Sequence, residues 1–329
     1  MSIVVGLEST AHTFGIGIVK NGKILSNVKK TYTTEKGGII PSEAANHHRE
    51  NAERLYSESL SQAKIKEKDI DAIAFSQGPG LAPCLYAGLN FAKQLSIKLK
   101  KPIVPVNHCI AHLEIGKTTK AKNPIMLYTS GANTQIIAYS SGRYRIFGET
   151  LDLGVGNFLD TFAREAGIGF PGGPVIQKLA ENSKNYIELP YVVKGMDISL
   201  SGILTNLQQK IKGKKYSMED LAYSTQETVF AMLLECAERA MAHTGKKELL
   251  LGGGVACNSR LQEMARTMCK ERGAKLFVPV NSLLTDNGAM IAFLGEIMFK
   301  KEIYLNYNDL TNLEIQPRQR TDEVEVRWK

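Results

Sequence analysis

No uninterrupted apolar run in the 329 residues approaches the ~18 that a bilayer crossing needs, and the N-terminus leads straight into a strand-like stretch with no targeting segment. A soluble, cytoplasmic chain without a membrane partner is therefore expected. The five cysteines (Cys84, Cys109, Cys236, Cys257, Cys269) form an odd set with no C-x-x-C pair, which argues against a disulfide framework and a thiolate zinc site and for a reducing compartment. There is no G-x-x-x-x-G-K-[ST] loop, so phosphate binding of the Walker type is excluded. There is also no H-E-x-x-H: His112-Leu113-Glu114 puts no carboxylate between the two nearest histidines to act as a general base.

What remains is an ordinary globular composition, 43% hydrophobic and 22% charged, long enough for two cores, with a formal charge of +8. Short basic clusters lie at Lys98–Lys101, Lys117–Lys122 and Lys210–Lys215. They read first as solvated helix ends and loops, and the net charge also fits a polyanionic partner such as RNA.

The order of elements repeats. Residues 3–7, 14–19 and 23–28 form a three-strand meander closed by Asn21-Gly22, and 125–128, 134–139 and 144–147 form another closed by Ser141-Gly142. Ile70–Phe75 runs into Gly78-Pro79-Gly80 and a helix, and Leu249–Leu251 runs into Gly252-Gly253-Gly254 and a helix. Ile103-Val104-Pro105-Val106-Asn107 has its counterpart in Phe277-Val278-Pro279-Val280-Asn281, read as a second buried strand. Apolar periodicity predicts helices at 42–63, 81–99, 219–243, 258–272 and 286–300, with a glycine-rich, loop-like insert at about 150–200. Each half thus reads β-β-β-α-β-α-β. That duplication resembles the actin-like ATPase (ASKHA) superfamily, an α/β fold of two ribonuclease-H-like lobes around a nucleotide and metal cleft. The expected division is an N-terminal lobe over 1–122, a C-terminal lobe over 123–300, and a tail over 301–329. Ligands in such lobes collect beyond the carboxyl ends of the strands, where every polar turn named here falls.

Three turns are candidates for a nucleotide. Thr129-Ser130-Gly131-Ala132 can turn backbone N–H groups toward a phosphate or acyl oxygen. Gly252-Gly253-Gly254 removes Cβ atoms where a flat base or ribose could approach, and Asn258 beyond it either caps a helix or presents its amide to a purine. Phe170-Pro171-Gly172-Gly173-Pro174 reads as a rigid loop opening a helix. Taken singly, each is as well explained as a plain turn. For a metal, His108 and His112 fall four apart on one helical face, and the duplication brings Asp286 opposite them. Two imidazoles and a carboxylate with open positions suit Fe(II) or Zn(II) better than Mg(II). His47-His48 read as helix surface, since adjacent positions point different ways.

Gly6-Leu7-Glu8-Ser9-Thr10-Ala11-His12, Gly37-Gly38-Ile39-Ile40-Pro41-Ser42, Gln77-Gly78-Pro79-Gly80, Asn107-His108-x-x-Ala111-His112, Tyr128-Thr129-Ser130-Gly131, Thr285-Asp286-Asn287 and Pro317-Arg318-x-Arg320-Thr321-Asp322 come in one order along the chain. Together with the glycine turns they resemble, over essentially the whole length, the tRNA N6-adenosine threonylcarbamoyltransferase family, archaeal and eukaryotic type. That is the catalytic subunit of the KEOPS complex, formerly labelled a sialoglycoprotein endopeptidase. The resemblance implies transfer of threonylcarbamoyl from threonylcarbamoyl-AMP to N6 of the adenosine beside the anticodon in tRNAs reading ANN codons, with release of AMP. It implies His108, His112, Tyr128 and Asp286 as ligands of one metal, iron in archaeal members, and the turn Tyr128–Ala132, Asp160, Gly173, Gln177 and Asn258 as holding the adenylate. It also implies tRNA and, as separate partners, a small atypical kinase and small dimerising and tRNA-binding subunits. Two positions depart from the family's usual pattern: Gln177 stands where a glutamate is general, and Ser9 where archaeal members have glycine. A phosphotransferase of the actin-like class would instead carry an aspartate, not Glu8, at the end of the first strand.

Overall fold

The computed structural model describes residues 2–34 and 38–329; Gly37, first of the Gly37–Ser42 motif, lies outside them. The first lobe is a five-stranded sheet. Strands β1 (Ile3–Glu8), β2 (Thr13–Lys20) and β3 (Lys23–Thr31) form the meander. After helix α1 (Pro41–Ala63) come β4 (Ala72–Gly78), α2 (Ala82–Leu99) and β5 (Ile103–Asn107), giving the order β3-β2-β1-β4-β5. Every residue of β1 is buried, as befits a strand flanked by an antiparallel and a parallel neighbour. The hairpin turn Asn21-Gly22 has positive φ at both residues, the geometry that matches strand twist, and Ser141-Gly142 repeats it.

Helix α3 (His108–Glu114) leads to the second sheet: β6 (Ile125–Thr129), β7 (Thr134–Ser140) and β8 (Arg143–Glu149), then β11 (Glu248–Gly252) and β12 (Lys275–Phe277). Its order, read as β8-β7-β6-β11-β12, is that of the first sheet, so the duplicated α/β architecture stands. Between β8 and β11 come α4 (Val155–Glu165), α5 (Gly173–Ala180), the short hairpin β9 (Val193–Lys194) and β10 (Asp197–Ile198), α6 (Ser201–Gly213) and the long α7 (Met218–Thr244). Helix α8 (Ser259–Glu271) joins β11 to β12, and α9 (Asn281–Leu284) and α10 (Gly288–Phe299) follow.

Two expectations need correcting and one needs adding to. The segment 277–281 is not a second five-residue strand: pairing stops at Phe277, Val280 is 65% exposed, and Asn281 opens a helical turn. Pro279 has no N–H to continue a ladder. The stretch 150–200 is loop over much of its length, as expected, but it also holds α4 and α5. Val155, Phe158, Leu159, Phe162 and Ala163 put a helical apolar stripe into the second core. The final helix starts at Gly288 rather than 286, because the Asn287 side chain caps it, accepting from Met290 N at 2.9 Å.

A third core lies between the sheets. It packs Cys109, Ile110 and Ala111 of α3 with Met126 and Leu250 of the second sheet, and Ala289 and Ala292 of α10 with Val4 and Val19 of the first. The helix of each half therefore engages the other half. Gly6 and Gly17 permit the close approach: a Cβ would lie 2.1 Å from the backbone nitrogen of Ala292 at the first and 2.2 Å from that of Ala289 at the second. This packing brings the end of α3 and the start of α10 together.

Candidate metal centre and nucleotide cleft

Helix α3 begins directly at the end of β5. Asn107 caps it, accepting from Ile110 N at 3.0 Å, so its first residue is His108 and His112 follows one turn on. Both imidazoles are buried, with ring centroids 4.8 Å apart. Asp286, in the loop before α10, points one carboxylate oxygen at both: Oδ1 is 3.2 Å from His112 Nε2 and 3.5 Å from His108 Nε2. Donors sharing one ion at about 2.1 Å are spaced ~3–3.5 Å from one another, so the two separations from Asp286 suit a common cation. The three ligand atoms all fall within 4.8 Å, and among the described residues no other such group of histidine, cysteine or carboxylate side chains occurs.

Behind this trio, Glu8 at the end of β1 is fully buried and meets His108 Nδ1 at 2.9 Å. The backbone N–H of Thr10 donates to the same carboxylate at 2.7 Å. A carboxylate on the far nitrogen fixes a ligating imidazole's tautomer and orientation, leaving Nε2 free for an ion. Burial works against a charge on His108, but the Glu8 and Asp286 carboxylates outweigh it and lift the imidazole to about 9. Burial lowers His112, with Asp286 opposing. At Asp286 burial resists ionisation, yet the two imidazoles hold the carboxyl well below the usual range.

Tyr128 of β6 presses its ring on His112, centroids 5.0 Å apart, and its buried hydroxyl has no hydrogen-bond partner. An orphaned phenol beside two converging imidazoles and a carboxylate is a fourth donor of the kind a bound cation would satisfy. The residues fit a divalent ion.

A cavity of about 570 Å³ opens over the trio between the lobes. His108, Tyr128, Ser130, Gly131, Ala132, Asp160, Gly254 and Asp286 line it, together with Thr10 and His12 of the first lobe. Ser130 and Gly131 are tied to α4, their carbonyls accepting from Gly156 N at 3.0 Å and Asn157 N at 2.9 Å. Asp160 accepts from Gly172 N at 2.8 Å and so fixes the turn that opens α5; burial raises its carboxyl above the usual value.

The whole chain has relatives. Residues 23–293 match the family model TsaD, tRNA N6-adenosine threonylcarbamoyltransferase. The protein of that name from Thermococcus sibiricus is 57% identical over 326 residues, 99% of this chain and all of its own length. This chain belongs to the tRNA N6-adenosine threonylcarbamoyltransferase family. A Methanosarcina mazei protein, described as a probable bifunctional tRNA threonylcarbamoyladenosine biosynthesis protein, is 51% identical over 99% of this chain, which spans 60% of its length. Among solved structures, HypF of T. kodakarensis superposes with a TM-score of 0.65 at 16% identity, covering 91% of this chain, which spans about half of that one at 48%. The (R)-2-hydroxyglutaryl-CoA dehydratase component A of Acidaminococcus fermentans gives 0.54 at 14% identity, over 92% of this chain and 99% of its own. These two likenesses concern the fold alone.

Within this threonylcarbamoyltransferase-family chain the remaining predicted contacts separate by position. Thr129 is buried and donates to Gly252 O at 3.2 Å, so its side chain serves the sheet. Asn258 caps α8, accepting from Arg260 N and Leu261 N at 2.9 and 3.2 Å, while its amide donates to Gln226 at 2.5 Å. Both ends of that amide are engaged within the protein. Gly173 has open space beside it, and Gln177, one turn on, donates to Ser259 at 3.0 Å at the start of α8. Of the glycine run Gly252-Gly253-Gly254, which ends and follows β11, only Gly254 faces the cavity with room to spare. Gly253 is required by its φ of +88° and by Thr129 O, 2.3 Å from where a Cβ would lie.

Two cleft residues escaped the sequence reading as site residues. Glu8 stands in the Gly6–His12 motif and where a phosphotransferase would carry aspartate, with no role assigned; its bond to His108 spans 100 positions. Lys29, on β3, donates to Asp286 O at 3.1 Å and to the Thr285 hydroxyl, holding the Asp286 loop against the first sheet. Burial lowers the Lys29 ammonium pKa, opposed by Asp286, Cys257 and Glu8. His48, expected on the surface, is fully buried with Nε2 2.9 Å from Ala11 O, and its Nδ1 lies 3.4 Å from that of His47. Ala11 follows the Glu8–Thr10 turn, so the helix interior there supports the cleft floor.

Proposed function

We propose that this chain is a transferase that moves the threonylcarbamoyl group of threonylcarbamoyl-AMP to N6 of the adenosine beside the anticodon in ANN-decoding tRNAs, releasing AMP. It works in the cytoplasm as the catalytic subunit of the KEOPS complex, beside tRNA, a small atypical kinase, and small dimerising and tRNA-binding subunits. The single observation that carries the reading is the meeting of His108 and His112 with one oxygen of Asp286 beneath a cavity shared by both lobes. In the reaction N6 forms a bond to the carbamoyl carbon and loses a proton, while the carbon–oxygen bond to the phosphate breaks and AMP leaves with the electron pair.

His108, His112, Asp286 and the Tyr128 hydroxyl hold one divalent ion, Fe(II) first and Zn(II) as the alternative. When bound, that ion supplies Lewis-acid polarisation for a reaction whose nucleophile, an exocyclic amine, is weak. Glu8 keeps the proton of His108 on Nδ1, so that Nε2 faces the cavity. Ser130, Gly131 and Ala132 present a turn to the acyl or phosphate oxygens, where fixed dipoles stabilise developing charge without reorganising. Asp160, Gly173, Gln177 and Asn258 hold the adenylate side through the joined starts of α5 and α8. Gln177 offers a ribose hydroxyl an uncharged acceptor.

The test is reconstitution: purified chain, KEOPS partners, tRNA, threonine, bicarbonate, ATP and a separate adenylate-forming enzyme. Nucleoside analysis should find threonylcarbamoyladenosine, absent with His112→Ala. No modified base from the intact mixture refutes the assignment.

A further inference from the structure

We propose that the C-terminal tail, residues 316–329, is a positioning strap that grips both ends of α3 and thereby sets the two imidazoles against Asp286. The proposal rests on the metal reading above.

At the start of α3, the cap residue Asn107 has a second bond: its Nδ2 donates to Gln319 Oε1 at 2.9 Å. At the far end, Glu114 is fully buried two residues after His112. Its carboxylate accepts from the Tyr144 hydroxyl and pairs with Lys117, and Trp328 Nε1 donates to it at 3.2 Å. Trp328 is itself 6% exposed. The last residue closes over the same place: Lys329 Nζ lies 4.0 Å from the Tyr139 ring centroid and 4.7 Å from that of Tyr144.

The tail is also tied to both lobes, before the first grip and between the two. Gln316 N donates to Gln77 O at 2.8 Å and Gly80 N to Pro317 O at 3.1 Å, on the first lobe. Arg320 then reaches Glu149 of β8, on the second, at 3.3 Å. A buried carboxylate with four side-chain partners, Lys329 at 4.0 Å being the fourth, would be costly to retain for packing alone. What distinguishes it is its place, on a seven-residue helix carrying both histidines. Such a helix has too few internal bonds to hold its own position, so its axis is set by the core around it and by what grips its ends. Ligands displaced even slightly lose a shared ion.

The experiment compares full-length wild-type chain with Trp328→Phe/Gln319→Leu, which removes both grips and keeps the bulk. Leu313→Ala is the control: Leu313, just before the strap, is buried in the first lobe's core, which holds no residue of α3. Hydrogen exchange of residues 108–114 and Fe(II) affinity, by anaerobic competition with a chelator, are read alongside Tm. The strap predicts exchange on α3 faster by about tenfold and affinity weaker by about tenfold in the double variant. Leu313→Ala lowers Tm and leaves both unchanged. Unchanged exchange and affinity in the double variant overturn the strap. Faster exchange together with no uptake of Fe(II) or Zn(II) by wild type supports the strap's hold on α3 and overturns the metal reading.

Discussion

At Glu8 both the charge and the length of the side chain matter. The second carboxylate oxygen reaches His108 Nδ1 while the first takes the Thr10 N–H, a span an aspartate on the same strand would not bridge. Glu8→Ala is expected to weaken divalent-ion binding about 10–100-fold, measured by chelator competition on protein whose circular dichroism is unchanged. His48 makes a different prediction. Burial chiefly lowers its pKa to about 4 from an ordinary 6.5, with the Ala11 carbonyl opposing and His47, His12 and Arg49 adding to the depression. The unfolded chain takes up this proton as pH falls below about 6.5, whereas the folded chain resists until about 4. Stability from this group is therefore complete above pH 6.5 and lost between 6.5 and 4, at most about 3 kcal/mol. Urea denaturation across that window should show a shallower fall for His48→Gln than for wild type.

Glycines decide how the elements approach one another. Gly17→Ala would drive a Cβ to 2.2 Å from the Ala289 nitrogen, and backbone on backbone cannot yield cheaply. A loss of about 1–3 kcal/mol is expected on thermal or urea unfolding, whereas Gly213→Ala, with open space around it, should cost nothing measurable. The same residues explain what sequence could and could not reveal. The meanders, their two hairpin turns and the strand-to-helix steps were legible because period and turn chemistry are local. Helix α4 was hidden because Gly154 and Gly156 look like loop markers. In the structure they allow α4 to touch the 130–132 turn, with Cβ positions 2.4 Å from Gly131 O and 2.7 Å from Gly131 Cα. The Val278-Pro279-Val280 repeat misled in the other direction: identical residues extend a strand at β5 and leave the sheet after β12. His108, His112 and Asp286 could be named from spacing and duplication. Glu8 and Lys29 could not, since their partners lie 100 and more than 250 residues away and only folding brings them close.

For the whole molecule, the formal charge of +8 is unevenly committed. Lys98 pairs with Glu67 and Lys117 with Glu114, whereas Lys212, Lys214 and Lys215 at the end of α6 are exposed. On the proposed function, tRNA affinity of the chain should fall at least about tenfold between 50 and 200 mM salt, measured by filter binding. Substituting the α6 lysines should flatten that slope if this end of the second lobe meets phosphates. No described helix is long and apolar enough to cross a membrane.

The architecture has its consequence where the lobes meet. Helix α3 follows the first sheet, the Asp286 loop follows the second, and the shared core between them aims both at one point. Elemental analysis of chain purified without oxygen tests this most directly. One divalent iron or zinc per wild-type chain, lost in Asp286→Ala of unchanged fold, is the predicted result. An ion retained in full by Asp286→Ala, or none in wild type, would contradict it.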